Sequence, residues 1–368
     1  MAGVIDNARS YTRSRWSNVP EMPWSPESVY FASGREALVA LTRALGLPHG
    51  TRVLLPALVP EGIIAPFLKT GCQVLFYPLD ENLDPQYPAF DELLRRERPA
   101  LAVFIHYFGL RKDVTRFTDL CHQCGTMVVE DMAHILRSKA ADMNSEADFV
   151  LHSLTKMLPV PDGAVLEMKP KYATLQLQFR RDLRHSIYLT FRIGELVLCT
   201  VRHSIGGRRA WKMLSVLYYL LPSYRVLMSY FTRPHRMSAL SRYQLRRLAV
   251  SEMVSHRCHL EQLYEQGLSP KLFGRFVEHG SNGEHCKMGF PVRVADRSSL
   301  CRWLLRHNIQ GVFFQSRWDF APELPEFSTA KQLMREHFLF PTAAYLNESD
   351  ILYVIRIANM WPVESCRP

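Results

Sequence analysis

No part of this 368-residue chain is apolar for long enough to cross a bilayer, which takes about 20 residues. The nearest stretch, 211–221, is followed at once by Pro222 and Arg225. Residues 1–9 hold no apolar core of signal-peptide length, so export is not expected. Cysteine is sparse and scattered, eight in all, which fits a reducing cytoplasm better than a disulfide framework. Cys121 and Cys124 have the spacing of half a zinc site, but no second pair completes it. They fall where a helix should end before the next strand, and no metal is expected. Repeats and low-complexity tracts are also lacking. What remains is a globular chain, 47% apolar, of about two domains.

Acidic residues are scarce in one place. The net charge is +10, and residues 179–236 hold eleven Lys or Arg opposed only by Asp182 and Glu195. The rest of the chain is close to neutral. That distribution argues for one local basic patch and against a general nucleic-acid-binding surface. A helical projection of 179–203 puts Leu183, Ile187, Leu189, Ile193, Val197 and Val201 on one face. Arg181, Arg184, His185, Arg192 and Arg202 share the other. The expectation is a basic amphipathic helix with two open readings. It lies on an anionic membrane as a peripheral contact, or its apolar face packs on protein while the arginines face water or a nucleotide phosphate.

From residue 29 to about 170, helix and strand signals alternate. A capped helix opens at Ser33. Strands are expected at 52–56, 73–77, 100–105 and 127–131, with helices at 60–69, 90–98 and 113–124 between them. Short, continuously apolar strands separated by helices indicate a parallel sheet covered on both faces. In such sheets ligands sit at the carboxyl ends of the strands, where His106, Asp131 and the loop before Lys156 all fall. Helices resume from 237 to about 266. The last hundred residues read as a small α+β domain with strands at 289–294 and 352–357 and a helix at 297–307.

Two residues stand out chemically. Asp131 closes an apolar strand, and Lys156 follows 25 positions later, beyond the next strand. A lysine that holds a cofactor covalently and a carboxylate that keeps a ring nitrogen protonated suit pyridoxal 5'-phosphate (PLP). The segments Ser33-Gly34-Arg35-Glu36-Ala37-Leu38, Ile105-His106-Tyr107-Phe108-Gly109, Glu130-Asp131-Met132-Ala133-His134, Ser153-Leu154-Thr155-Lys156 and Arg236-Met237-Ser238 come in this order. Ile309-Gln310-Gly311 and Phe338-Leu339-Phe340-Pro341 close the series. In content and order the chain resembles the DegT/StrS-type aminotransferases.

The resemblance implies an α/β, fold-type I PLP-transferase-like large domain with a mostly parallel sheet, at 1–240. A basic, apolar helical insertion at about 171–236 interrupts it, and a smaller C-terminal α+β domain follows at 241–368. It implies Lys156 as the catalytic lysine, with Asp131, His134, Ser153, Gly34, Arg35 and Glu36 around the cofactor. His106, Tyr107 and Arg317 are the substrate candidates. The implied activity moves an amino group from an amino acid to a keto-sugar, nucleotide-linked, in glycan or secondary-metabolite biosynthesis, within a homodimer. The pattern departs at three positions: Pro60 for an aromatic residue over the ring, Leu151 for a hydroxyl, and Pro234 for an asparagine. Two alternatives therefore stay open. One is a non-catalytic PLP-fold protein, and the other an enzyme for an amino-acid or lipid-linked substrate.

Overall fold

The computed structural model describes Ile5, Trp24, Ser25 and residues 27–138, 145–180, 183–204, 233–278, 284–314 and 320–362. The large sheet is built from β1 (Val29–Phe31), β2 (Arg52–Pro56), β3 (Gln73–Tyr77), β4 (Leu101–Ile105), β5 (Met127–Asp131), β7 (Phe149–Ser153) and β8 (Ala164–Met168). Their spatial order is β1-β8-β7-β5-β4-β2-β3. The run β3-β2-β4-β5-β7 is parallel, and β8 and β1 close one edge antiparallel. The expected mostly parallel sheet is thus observed. β4 is buried at every position, as a strand covered on both faces must be. The covering helices are α1 (Gly34–Ala44), α2 (Glu61–Lys69), α3 (Tyr87–Glu97) and α4 (Thr115–Gln123). Cys124 caps α4 at its C-terminus, so the Cys121/Cys124 pair does mark a helix end.

A short strand β6 (Ile135–Arg137) leaves the sheet and pairs with β9 (His285–Lys287). The four-residue α5 (Leu154–Met157) carries Lys156, and α6 (Leu183–Ser204) follows. Then come α7 (Ala239–Leu245), α8 (Val250–Gly267), β10 (Phe290–Arg293), α9 (Arg297–Arg306), α10 (Ser328–Glu336), β11 (His337–Phe340) and α11 (Glu348–Asn359). β10 and β11 form an antiparallel pair. α8 joins two cores. Its first turns, through Val250, Met253 and Val254, pack with Leu154, Met157 and Leu158. Its later turns, through Leu260 and Tyr264, pack with Phe290, Phe340 and Ile351.

Two expectations are corrected. Residues 352–357 are not a strand but lie within α11. Asn347 and Asp350 form a reciprocal capping box at its start. Ile351, Val354, Ile355 and Ala358 are on the buried face, an i, i+3, i+4, i+7 pattern obscured by the β-branched residues Ile351, Val354, Ile355 and Ile357.

The second correction concerns Arg192 of α6, expected on the solvent-facing basic side of the helix. Arg192 is 1% exposed, while Leu183, Ile187 and Val197 are 80%, 43% and 50% exposed. The guanidinium turns inward because it finds partners there: Nε donates to the Pro161 carbonyl at 2.9 Å, and Nη1 pairs with Glu195. A buried charge is tolerated only when so satisfied.

The helical assignment of 348–359 is testable by urea unfolding. Asn347→Ala should cost about 1 kcal/mol, and Leu352→Ser, at a position 56% exposed, should stay within about 0.5 kcal/mol. A larger loss at Leu352 than at Asn347 would contradict the helix.

Candidate active site

The carboxyl ends of β4, β5 and β7 converge, and backbone hydrogen bonds lock the converging segments together. Gly163 N–H donates to Ala32 O at 2.8 Å, and Leu154 N–H to Gly163 O at 3.1 Å. Gly163 has φ +147°, and a Cβ there would lie 3.0 Å from Met237 and 3.2 Å from Leu154. That turn therefore needs glycine. Ala32 N–H donates to His235 O at 3.0 Å and Met237 N–H to Tyr30 O at 3.3 Å. Asp162 accepts from Ser238 N–H at 2.9 Å, Ser238 Oγ at 2.6 Å and Ser241 Oγ. The segments containing Ser33, Lys156 and Arg236-Met237-Ser238 thus meet at one place.

Lys156 lies at the centre. The residue is partly exposed to solvent, yet the amine itself is crowded by protein. Nζ is 3.0 Å from His134 Nε2. Phe108 N–H donates to His134 Nδ1 at 3.2 Å. A neutral imidazole that accepts at Nδ1 carries its hydrogen on Nε2. Nε2–H then points at Lys156, and an ammonium has no lone pair to accept it. The network therefore calls for a neutral amine.

Electrostatics agree. Burial lowers the pKa of Lys156, opposed by Asp131 and reinforced by Arg35. His134 is held well below its usual value by burial, then by Lys156 and His337. Burial raises Asp131, while Lys156 and the Ala133 N–H, 2.8 Å away, work against that rise.

The donor to Nδ1 is aimed by an unusual turn. Phe108 has φ +61°, a left-handed conformation that a bulky residue adopts at a cost of order 1–3 kcal/mol. Gly109 follows at φ +95°, where a Cβ would lie 2.5 Å from His134 O. Phe108 stacks on His337, centroids 4.9 Å apart, and His134 meets Phe314 at 5.7 Å. Phe108, Phe314 and His337 were not among the expected site residues. Gly109 was the available signal, since a glycine just past a strand end marks a backbone turn.

The other candidates divide. Gly34 and Arg35 open α1, whose N-cap Ser33 Oγ accepts Glu36 N–H at 3.4 Å. A helix start of this kind is a ready anion site. Arg35 pairs with Glu61 at 3.0 Å. Leu151 packs beside Gly34, and Pro60 is the N-cap of α2. Ser153 is half-buried and makes no capping bond to α5. The Glu36 carboxylate turns away and binds His235 N–H at 3.0 Å.

His106 is fully buried, with Nε2 2.6 Å from Glu130 and Nδ1 accepting from Lys112 N–H at 3.1 Å. Tyr107 donates its hydroxyl to Leu58 O. Both are bonded into the scaffold. Arg317 lies outside the described residues. Glu36, His185 and His235 place one ligand-type atom each within 4.8 Å of one another. The two imidazoles are stacked 4.7 Å apart at 15°, so their lone pairs run side by side instead of converging on an ion.

With this geometry described, known proteins can be compared. Residues 25–151 match the model of the DegT/DnrJ/EryC1/StrS aminotransferase family. That match spans about a third of the chain, and over it the chain is similar to the family. The match holds the Ser33 helix start, the His106 turn and Asp131, while Lys156 lies just beyond it. A curated relative, dTDP-4-dehydro-2,3,6-trideoxy-D-glucose 4-aminotransferase of Saccharopolyspora spinosa, is 31% identical over 111 residues. That match covers 29% of this chain and only 28% of the relative's length.

Solved structures extend the likeness of fold over most of the chain. DesV of S. venezuelae has TM-score 0.64 at 17% identity, covering 91% of this chain and 84% of DesV. A DegT DnrJ EryC1 StrS aminotransferase from Brucella abortus has TM-score 0.61 at 15% identity, covering 90% and 84%. The Streptococcus pneumoniae protein Spr1654 in its PLP form has TM-score 0.64 at 12% identity, covering 93% and 92%. At these identities the likeness shows the fold alone.

The neutral state of His134 predicts an acid-side signature. The unfolded chain takes up a proton near pH 6.5 that the folded chain refuses, so stability falls as pH drops below that value. Each such group contributes a slope of about 1.4 kcal/mol per pH unit. His134→Gln should flatten the stability–pH curve below pH 6.5 by up to that amount. An unchanged slope in urea titrations would mean that His134 is not held neutral.

Proposed function

We propose that the protein is a PLP-dependent aminotransferase acting on a nucleotide-linked keto-sugar, with an amino acid such as glutamate as donor. The observation that carries this reading is the Lys156–His134–Phe108 chain beside Asp131. The donor set fits the cofactor: a neutral amine, a buried carboxylate at a strand end, and a helix N-terminus for a phosphate. When bound, PLP supplies an electrophilic aldehyde carbon and a protonated ring that draws electrons from a substrate carbon. Lys156 would hold it, Asp131 would face the ring nitrogen, and the first turn of α1 with Gly34 and Arg35 would hold the phosphate.

A neutral Lys156 can attack an electrophilic carbon, or take a proton from a substrate carbon and return it elsewhere. An ammonium can do neither at first. His134 keeps that amine neutral and oriented between transfers. Asp131 opposes loss of the ring nitrogen's proton because an ionised carboxylate in a poorly solvated site needs a cationic partner.

The sugar class is supported by the named relatives, which include a 4-aminotransferase for a dTDP-linked dehydro-sugar. DesI, solved in the presence of its TDP-sugar product, has TM-score 0.61 with this chain. The wider reading includes a symmetric homodimer, a cytoplasmic setting and peripheral contact with an anionic membrane. It also keeps the division into a large domain at 1–240 and a small one at 241–368. No helix among the described residues is long and apolar enough to cross a membrane. The non-catalytic alternative is weakened by an amine poised for chemistry. The departures at Pro60, Leu151 and Pro234 concern the grip on the cofactor, not this amine.

Lys156→Ala should lose borohydride-stable cofactor attachment and reduce turnover by about 10²- to 10⁴-fold. Covalent cofactor persisting in that variant would refute the assignment. Asp131→Asn removes a charge-assisted hydrogen bond of about 1.5–3 kcal/mol. Turnover should drop about ten- to a hundredfold while the protein stays folded. Wild-type rates in that variant would remove the carboxylate from the mechanism.

A further inference from the structure

We propose that the outer face of α6 is a docking surface for an anionic lipid bilayer. This adds a specific surface to the peripheral-contact reading and rests on it, but not on the catalytic assignment. Leu183 is 80% exposed, Ile187 43% and Val197 50%. They recur at the spacing of one helical face. Thr190 and Gly194, between them on that face, are exposed as well, and a Cβ at Gly194 would meet nothing within 4 Å. The opposite side is fixed to the enzyme by Arg192 on the Pro161 carbonyl, by its pair with Glu195 and by the buried Leu196. The helix cannot roll over to hide its apolar face without breaking that buried ion pair.

Charge selects the occupant. Arg192 and Glu195 neutralise each other inside, and the described cations left around α6 are arginines that face solvent. Exposed Arg180, Arg233 and Arg236 stand at the base of α6, where Arg180 N–H donates to Pro234 O at 2.8 Å. Arg236 lies 4.1 Å over the ring of Phe179. A second copy seated on this face through a two-fold axis would meet it with the same exposed arginines and no opposite charge. A bilayer of anionic lipids supplies the opposite charge and an apolar interior for the leucine, isoleucine and valine. Each basic residue close to such a surface strengthens binding by about fivefold. The geometry also places the lipid-facing helix directly behind the 158–163 loop that follows Lys156.

The test is flotation of the full, cofactor-loaded chain with phosphatidylglycerol–phosphatidylcholine vesicles or pure phosphatidylcholine vesicles, at low and high salt. Wild type should float with the anionic vesicles at low salt and fall away severalfold at high salt. The variant L183S/I187S/V197S should float at least tenfold less, with unchanged sedimentation and visible absorbance. Leu352→Ser, which removes another exposed leucine, should float like wild type. Several results would overturn the proposal: no wild-type flotation on anionic vesicles, equal flotation on neutral ones, or a triple variant that floats normally. A triple variant that changes sedimentation but not flotation would also overturn it and assign the face to a second copy. The visible absorbance of the same samples reports the cofactor separately, so failure of the lipid proposal leaves the catalytic one standing.

Discussion

The Phe108 N–H to His134 Nδ1 hydrogen bond is the contact on which the candidate chemistry turns. It fixes the tautomer of His134, and the tautomer fixes the protonation of Lys156. The donor sits in a left-handed conformation, held by Gly109 against the His134 carbonyl and by the stack of Phe108 on His337. β11 supplies His337, so the C-terminal part of the chain helps to set the state of an amine carried by α5. Strain at one residue is tolerated because close packing against Phe276, Phe314 and His337 over-determines it.

How far this was legible in the sequence differs from element to element. Asp131 and Lys156 could be read because strand ends and an order of short motifs are local properties. The sheet could be read because a five-residue apolar run between two helices has few other uses. α11 was obscured by its composition: Ile351, Val354, Ile355 and Ile357 are β-branched residues that favour strands, and the capping box at Asn347 outweighed them. The hydrogen bonds of His106 could not be read, since Glu130 and the Lys112 N–H become its partners only once β4 and β5 lie side by side.

The inward turn of Arg192 in α6 shows a different limit. A helical projection ranks residues by hydropathy and groups an arginine with the solvent-facing side. Arg192 goes inward because a carbonyl and a carboxylate wait there, and the long aliphatic stem of arginine packs well below its charged end. Neither Pro161 nor the geometry of Glu195 enters a projection. Where a buried cation has a ready-made pair of acceptors, polarity and interior are not opposites.

One helix serves as the axle of the molecule. α8 starts among the side chains beneath α5 and finishes among the aromatics between β10 and β11. Along the way Arg257 donates to Lys287 O at 2.5 Å, and Glu261 holds the Lys287 ammonium at 2.8 Å. A continuous helix anchored at both ends is stiff. Hinging of the two cores about each other would have to bend eighteen residues of regular backbone and tear out both anchors. The rigid frame beneath Lys156 therefore keeps its amine and Asp131 in fixed relation.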